Sequence, residues 1–303
     1  MSRPQKVHLY EVGPRDGLQA EATIIPTEIK IKLIESLAET GLKTIESASF
    51  VSPKWVPQMA DAHEVMSGLK KHEGVSYPVL TPNLKGYEAA RDDSVSEIAL
   101  FGAASESFSL KNINATRKES LIRFSHLTER AHNDGVKIRG YVSCVIACPY
   151  DGPTNPHHVL DMTKALLDQG CYQISLGDTT GVGTPTDWER LFDVLLKNLK
   201  PADLAIHAHD TYGQALANIL VALDRGLETI DASIGGLGGC PYAPGAAGNV
   251  ATEDVLYMLN GMDIETGVDI AKLVDCAYYI SDALQRPPIS KVAKALGRSS
   301  THS

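Results

Sequence analysis

Apolar and polar positions along the 303-residue chain switch repeatedly between two periods. Short apolar runs of strand length are each followed by a segment with the apolar spacing of an amphipathic helix. Strands are predicted over 7–12, 44–49, 77–80, 97–101, 137–145, 172–176, 204–209 and 229–234. Helices are predicted over 27–39, 61–70, a stretch after Pro82, 117–134, 157–168, 186–199, 214–224 and 252–259. Thr27 reads as the N-cap of the first helix, and Gly41, Gly135, Gly170 and Gly226 read as helix stops. Eight such units with no composition break predict an α/β fold, a (β/α)8 TIM barrel over residues 1–262. A doubly wound sheet is the alternative, but it would not need eight such regular units. A helical segment over 270–284 and a polar tail follow; too short for an independent domain, they read as a helical C-terminal extension (263–303) packed on the barrel.

In such barrels the site lies at the C-terminal ends of the strands, so useful side chains should fall just after them. The seventh strand ends in His207-Ala208-His209, and the period of two puts both imidazoles on one face, a ready pair of metal ligands. After the first strand, Gly13-Pro14-Arg15-Asp16-Gly17 is a stiff turn that would present Arg15 as a charged donor fork and Asp16 as a hard oxygen ligand. An Arg-Asp pair in a turn is otherwise a surface ion pair. Glu46 stands in the second strand among apolar and small residues, where a carboxylate needs a partner, and Arg15 is the natural one. Asp178 follows the sixth strand in a turn bounded by Gly177 and Gly181, either an Asx-turn residue or a site residue. After the eighth strand, Gly235, Gly236, Gly238 and Gly239 precede Cys240, which predicts a mobile lid carrying a candidate acid, base or nucleophile. Asn249 follows as a further oxygen donor, and Glu253 opens the last barrel helix. Asp16, His207, His209 and Asn249 thus offer two nitrogens and two oxygens, which suit Mg2+ or Mn2+ better than zinc. Two histidines and one carboxylate also match the facial triad of Fe(II) oxygenases.

Charge and composition narrow the class. With 28 Lys and Arg against 37 Asp and Glu the net charge is −9, and no basic stripe offsets it, which argues against a nucleic-acid binder. No run approaches the roughly 18 apolar residues of a membrane span. The polar residues 1–6 lead almost directly into the first strand, with no signal or transit peptide, and 298–303 is not a peroxisomal tail; a cytoplasmic protein is expected. Five irregularly spaced cysteines fit a reduced compartment, and Cys144 and Cys148 read as core or loop residues.

Five stretches resemble the 3-hydroxy-3-methylglutaryl-CoA lyases, within a wider group of metal-dependent (β/α)8 lyases and Claisen-type synthases. They are EVGPRDGLQ over 11–19, SFVSPKWVPQM over 49–59, SLGDTTGVGTP over 175–185, HAHDTYGQALAN over 207–218 and GGLGGCPYAPGAAGNVATED over 235–254. The Arg-Asp pair and the His-x-His strand are common to the wider group, whereas the 49–59 stretch and the Cys240 loop are specific to the lyases. Related condensing enzymes read Arg-Asp-Gly-Glu-Gln after strand one; Leu18 stands here in place of that Glu, which points to thioester cleavage rather than condensation with a 2-oxo acid. The resemblance implies ligation of Mg2+ or Mn2+ by Asp16, His207, His209 and Asn249. It implies Arg15 near the thioester oxygen, Cys240 as a catalytic residue, and Glu46 and Asp178 in support. The implied substrate is an acyl-CoA, (S)-3-hydroxy-3-methylglutaryl-CoA, cleaved to acetyl-CoA and acetoacetate by a bacterial cytosolic enzyme of leucine breakdown. Asp16 and His207 are both candidates for the base. A metal-dependent aldolase or acyl-CoA condensing synthase on the same barrel is the alternative activity. Lys54 and Lys111 are basic positions for a CoA phosphate, and exposed surface on the C-terminal extension fits a homodimer.

Overall fold

The computed structural model describes residues 3–239 and 248–298. Besides a small antiparallel pair, Ala147–Cys148 with Gly152–Pro153, it has the barrel strands β1 (His8–Glu11), β2 (Thr44–Ile45 and Ala48–Ser49), β3 (Val79–Leu80), β4 (Glu97–Ala103), β5 (Lys137–Ser143), β6 (Ile174–Gly177), β7 (Leu204–His207) and β8 (Thr229–Ala232). All pair in parallel with their neighbours in chain order, and β8 returns to β1. The ring closes through β2. Thr44–Ile45 pairs with β1, and Ala48–Ser49 pairs with β3. Between them the Glu46 amide donates to Glu11 O (2.8 Å) and the Ser47 amide donates to Pro78 O (2.9 Å), so β2 is tied on both sides.

Period-two alternation explains the layering. Outward residues such as Ile98, Leu100, Ile138, Val142, Leu204, Ile206 and Ile230 join one apolar shell between strands and helices. Trp188, Phe192 and Phe124 anchor that shell from the helices. Inward residues include Leu80, Ala99 and Tyr141, which cluster separately, and the buried Arg139, Asp231 and Glu46. The barrel interior is therefore partly ionic, and each buried charge must find a counter-charge there.

The helices are α1 (Thr27–Glu39), α2 (Ala62–Gly68), α3 (Leu84–Asp92), α4 (Glu106–Ile113), α5 (Arg117–Asn133), α6 (Pro156–Asp168), α7 (Pro185–Leu195), α8 (Ala215–Asp224), α9 (Thr252–Gly261), α10 (Ile270–Ala283) and α11 (Lys291–Leu296). Thr27 is not the cap of α1. Pro26 holds that position with an extended ψ of 144°, and the Thr27 hydroxyl donates instead to Asp61 at 2.8 Å. The segment 106–113, for which the sequence pattern predicts no element, is α4, capped by Ser105, whose hydroxyl accepts from the Phe108 amide. The polar tail contains α11. Its Ser290 cap and the amides of Lys291 and Val292 are held by the Asp254 carboxylate at 2.8, 3.2 and 2.8 Å, a tertiary cap that local sequence does not reveal. Within the described residues no helix is long and apolar enough to cross a membrane.

Candidate active site and metal centre

The turn after β1 is wound so tightly that the amides of Arg15, Asp16 and Gly17 all donate to Val12 O. Close packing makes this possible. A Cβ on Gly17 would stand 2.7 Å from both Leu237 Cβ and Ser233 Oγ. Gly17→Ala is therefore expected to cost about 1–3 kcal/mol through forced displacement of the turn. Denaturant unfolding measures this, and an unchanged midpoint would mean that the turn yields freely.

Arg15 is 5 % exposed and Glu46 is fully buried. Arg15 Nε donates to Glu46 Oε2 at 2.7 Å and Nη1 donates to Asp16 Oδ1 at 2.7 Å. The Tyr141 hydroxyl donates to the same Glu46 oxygen at 3.2 Å. Burial would raise the Asp16 carboxyl, but Arg15, His207 and the amide of Asn249 bring it down to about 2. Glu46 remains raised because its burial outweighs Arg15.

His207 and His209 point the same way although the ladder of β7 stops at His207. The two Nε2 atoms stand 3.3 Å apart, and His207 Nε2 lies 3.9 Å from Asp16 Oδ2. His209 pairs with Asn249 in an isolated bridge. Burial and the neighbouring His207 push the His209 imidazole down to about 4. Burial also acts to lower His207, but its bond to Asp231 and the charges of Asp231 and Asp16 leave it raised.

One ligand atom each from Asp16, His207 and His209 lies within 4.8 Å of the others, a cluster able to hold a metal ion. Two chemical details fit a cation there. The two Nε2 atoms, 3.3 Å apart, can share one N–H···N hydrogen bond, or with both lone pairs turned to the same point they can bind one cation. The Asn249 Nδ2 donates to Asp16 Oδ2 at 2.9 Å, while its Oδ1 is buried and accepts no hydrogen bond among the described residues, leaving an oxygen for a fourth ligand.

Arg15, Asp16, His207, His209 and Asn249 line one cavity of about 550 Å³, with Gln19, Phe101, Tyr141 and Thr179 also on its wall. Glu46 and Asp178 are not on that wall. Asp178 is buried behind it, accepts from the Gly183 amide at 2.8 Å, and is pushed up by burial to about 6. Any part that Glu46 and Asp178 take in the site is therefore through other groups. Cys240 lies outside the described residues. The expectation of a mobile lid is corrected at its start: Gly235 and Gly236 are buried in a tight turn, with φ of 63° and 70°. The carboxylate of Glu253 accepts from the Gly235 amide at 3.0 Å, and Gly235 O accepts from the Ile289 and Ser290 amides. Lys54 is exposed, and Lys111 sits with its ammonium 3.8 Å from the Tyr150 ring centroid.

Four residues around the site have no role assigned from the sequence: Glu11 and Ser175, which open the stretches 11–19 and 175–185, and Arg139 and Asp231, which lie outside all five. Glu11 Oε1 accepts from the amides of Gly13 (2.7 Å) and Ile234 (2.8 Å), joining the turns after β1 and β8. Burial, and for Glu253 the neighbouring Glu11, raises the two carboxyls from 4.5 to about 7 and about 8. The folded chain thus keeps protons that the unfolded chain has released. This contribution is complete below the unfolded value and is lost as the pH rises through the two folded ones. The unfolding free energy should fall across that window by up to about 1.4 kcal/mol per pH unit for each proton, and the melting temperature with it. Glu253→Gln should flatten the fall, and an unaltered profile in that variant would remove Glu253 from it.

Fold and site together define a (β/α)8-barrel protein with a candidate metal centre of two imidazoles and a carboxylate at its C-terminal mouth. A family model described as HMGL-like matches residues 6–280, and the chain belongs to that family. It is 56% identical over 295 residues, 97% of this chain and 99% of the other, to the mitochondrial hydroxymethylglutaryl-CoA lyase of Gallus gallus. The crystal structure of hydroxymethylglutaryl-CoA lyase from Pseudomonas aeruginosa superposes with a TM-score of 0.96 at 52% identity, covering 98% of this chain and 99% of that one. An HMG-CoA lyase from Acinetobacter baumannii in complex with coenzyme A and 3-methylmalate superposes with a TM-score of 0.92 at 36% identity, covering 99% and 97%.

Proposed function

We propose that this protein is a hydroxymethylglutaryl-CoA lyase, a carbon–carbon lyase that cleaves (S)-3-hydroxy-3-methylglutaryl-CoA to acetyl-CoA and acetoacetate. The observation that carries the reading is Arg15, held by Glu46 and Asp16, at the wall of the cavity beside Asp16, His207 and His209. Full-length similarity to proteins of that name supports it. Asp16, His207, His209 and Asn249 would hold Mg2+ or Mn2+, whose charge favours loss of the substrate's tertiary hydroxyl proton.

The remaining steps belong to the chain's own groups. Asp16, facing the cavity, takes the hydroxyl proton; His207 could do so only with its Nε2 free of the cation. The bond between C2 and C3 breaks as the former alcohol carbon becomes the ketone of acetoacetate. The electron pair passes into the thioester as an enolate. Arg15, unable to give up its proton, stabilises that negative oxygen. Cys240 delivers a proton to the enolate carbon, completing acetyl-CoA. Glu46 keeps the Arg15 fork aimed, and Asp178 braces the turn after β6 through the Gly183 amide. Leucine catabolism, a cytoplasmic location and a homodimer through the C-terminal extension, where Ile289 and Leu296 are exposed, belong to the same proposal.

The test is acetoacetate formation from the purified protein with Mg2+ or Mn2+, run beside CoA release from acetyl-CoA plus a 2-oxo acid. Cation-dependent acetoacetate is the expected result. CoA release without acetoacetate would replace the lyase by a condensing synthase.

A further inference from the structure

Asp231 lies in β8, and the ladder register sets it directly beside His207 of β7, so both side chains enter the barrel. Its carboxylate receives donors from three other strands. Arg139 of β5 donates to Oδ1 at 2.7 Å and to Oδ2 at 3.1 Å. Ser175 of β6 donates its hydroxyl to Oδ2 at 2.6 Å, and His207 Nδ1 stands 3.3 Å from the same oxygen. Arg139 and Asp231 are 0 % and 1 % exposed, and the Arg139 guanidinium lies 3.9 Å from the Tyr10 ring centroid. Four contacts from three strands therefore fix the direction of the carboxylate.

An ionised carboxylate only accepts, so the ring atom facing it must be an N–H. A neutral His207 with hydrogen on Nδ1 carries its lone pair on Nε2. That atom faces Asp16 and His209. We propose that Asp231, locked by Arg139 and Ser175, is a positioning residue: it fixes the Nδ1–H tautomer and the ring direction of His207 and thereby presents Nε2 as a ligand. The consequence for cation binding rests on the reading of Asp16, His207 and His209 as a metal centre; the tautomer does not. The plainer possibility is that Arg139 and Asp231 form an ion pair that only holds the barrel together.

Two measurements separate these. In the cation-free protein labelled with 15N-histidine, at a pH where the ring is neutral, His207 (identified by its absence from His207→Gln) should show the Nδ1–H tautomer. In Asp231→Asn that preference should be lost, because the amide can donate as well as accept. Mn2+ binding, followed by the paramagnetic resonance of the free ion, should weaken by about 10- to 100-fold in Asp231→Asn, the usual cost of removing an outer partner of a ligating histidine. Asp231→Asn leaves Arg139 buried without its counter-charge, so the double variant Arg139→Gln/Asp231→Asn is measured beside it. Stability recovered in the double variant without recovery of Mn2+ affinity supports positioning. Wild-type Mn2+ affinity in the double variant, or an Nε2–H tautomer in the wild type, overturns it. The wild-type spectrum decides even if neither variant folds. A wild type that binds no Mn2+ while showing the Nδ1–H tautomer would defeat the metal reading and leave the positioning role standing.

Discussion

Arg15→Gln should lower kcat by on the order of 10²–10³ while leaving KM for the CoA thioester within a few-fold. Glutamine ends where arginine Nε stands, two bonds short of the Nη pair, so it keeps one donor and removes the fixed charge. That charge matters little to a neutral thioester and much to the enolate that forms from it, which is why the loss should fall on turnover. A second effect comes with it. Glu46 is fully buried and its Oε2 depends on Arg15 Nε and Nη2, at 2.7 and 2.6 Å. Breaking a buried pair from one side typically destabilises by about 3–5 kcal/mol. The double variant Arg15→Gln/Glu46→Gln removes both charges and should regain most of the stability without regaining kcat. Recovery of both would mean that Arg15 serves the fold alone, and equal losses in kcat and 1/KM would remove it from the charge-developing step.

His209→Ala has the next largest expected effect, on cation binding. Asp16, His207 and His209 form the tight ligand cluster, so removing one nitrogen should weaken Mn2+ affinity by about 100-fold or more, the upper end of what outer partners alone contribute. Thermal shift reads this directly. At a cation concentration of about 100 Kd the wild type gains about 2.7 kcal/mol, whereas a variant binding 100-fold more weakly gains only about 0.4 kcal/mol at the same concentration. An undiminished cation-induced shift in His209→Ala would remove His209 from the ligand set and leave Asp16, His207 and Asn249 to account for it. The variant opens a hole near the Gly181 turn, where His209 Cβ comes within 3.1 Å of the position a Gly181 Cβ would take, so melting without cation serves as the baseline.

The barrel was legible in the sequence because its outward-facing strand residues are apolar at period two and its helices are amphipathic. The pairing of Arg15 with Glu46 was legible because a lone carboxylate in an apolar strand demands a cation. The same demand applies to Asp231, in Thr229-Ile230-Asp231-Ala232, and would have flagged it. Its partner Arg139 lies 92 residues away in the chain, and only the barrel brings the two together. Gly235 and Gly236 show the opposite limit. Glycine marks a backbone free to bend, but whether the bend is loose or buried is set by Glu253, Ile289 and Ser290, which reach it from two later segments. The last helix was missed for a related reason. Its first turn is capped by Asp254, which belongs to α9.

That last contact has a consequence beyond the fold. Asp254 gathers Ser290, Lys291 and Val292; Gly235 O takes the amides of Ile289 and Ser290; and Lys291 reaches Asp210, just past the two histidines, at 3.1 Å. The end of the described chain is therefore sewn to the turns that follow β7 and β8. A substitution at Asp254, Ser290 or Lys291 that loosens this seam therefore also disturbs the geometry of the mouth, although none of the three faces the cavity.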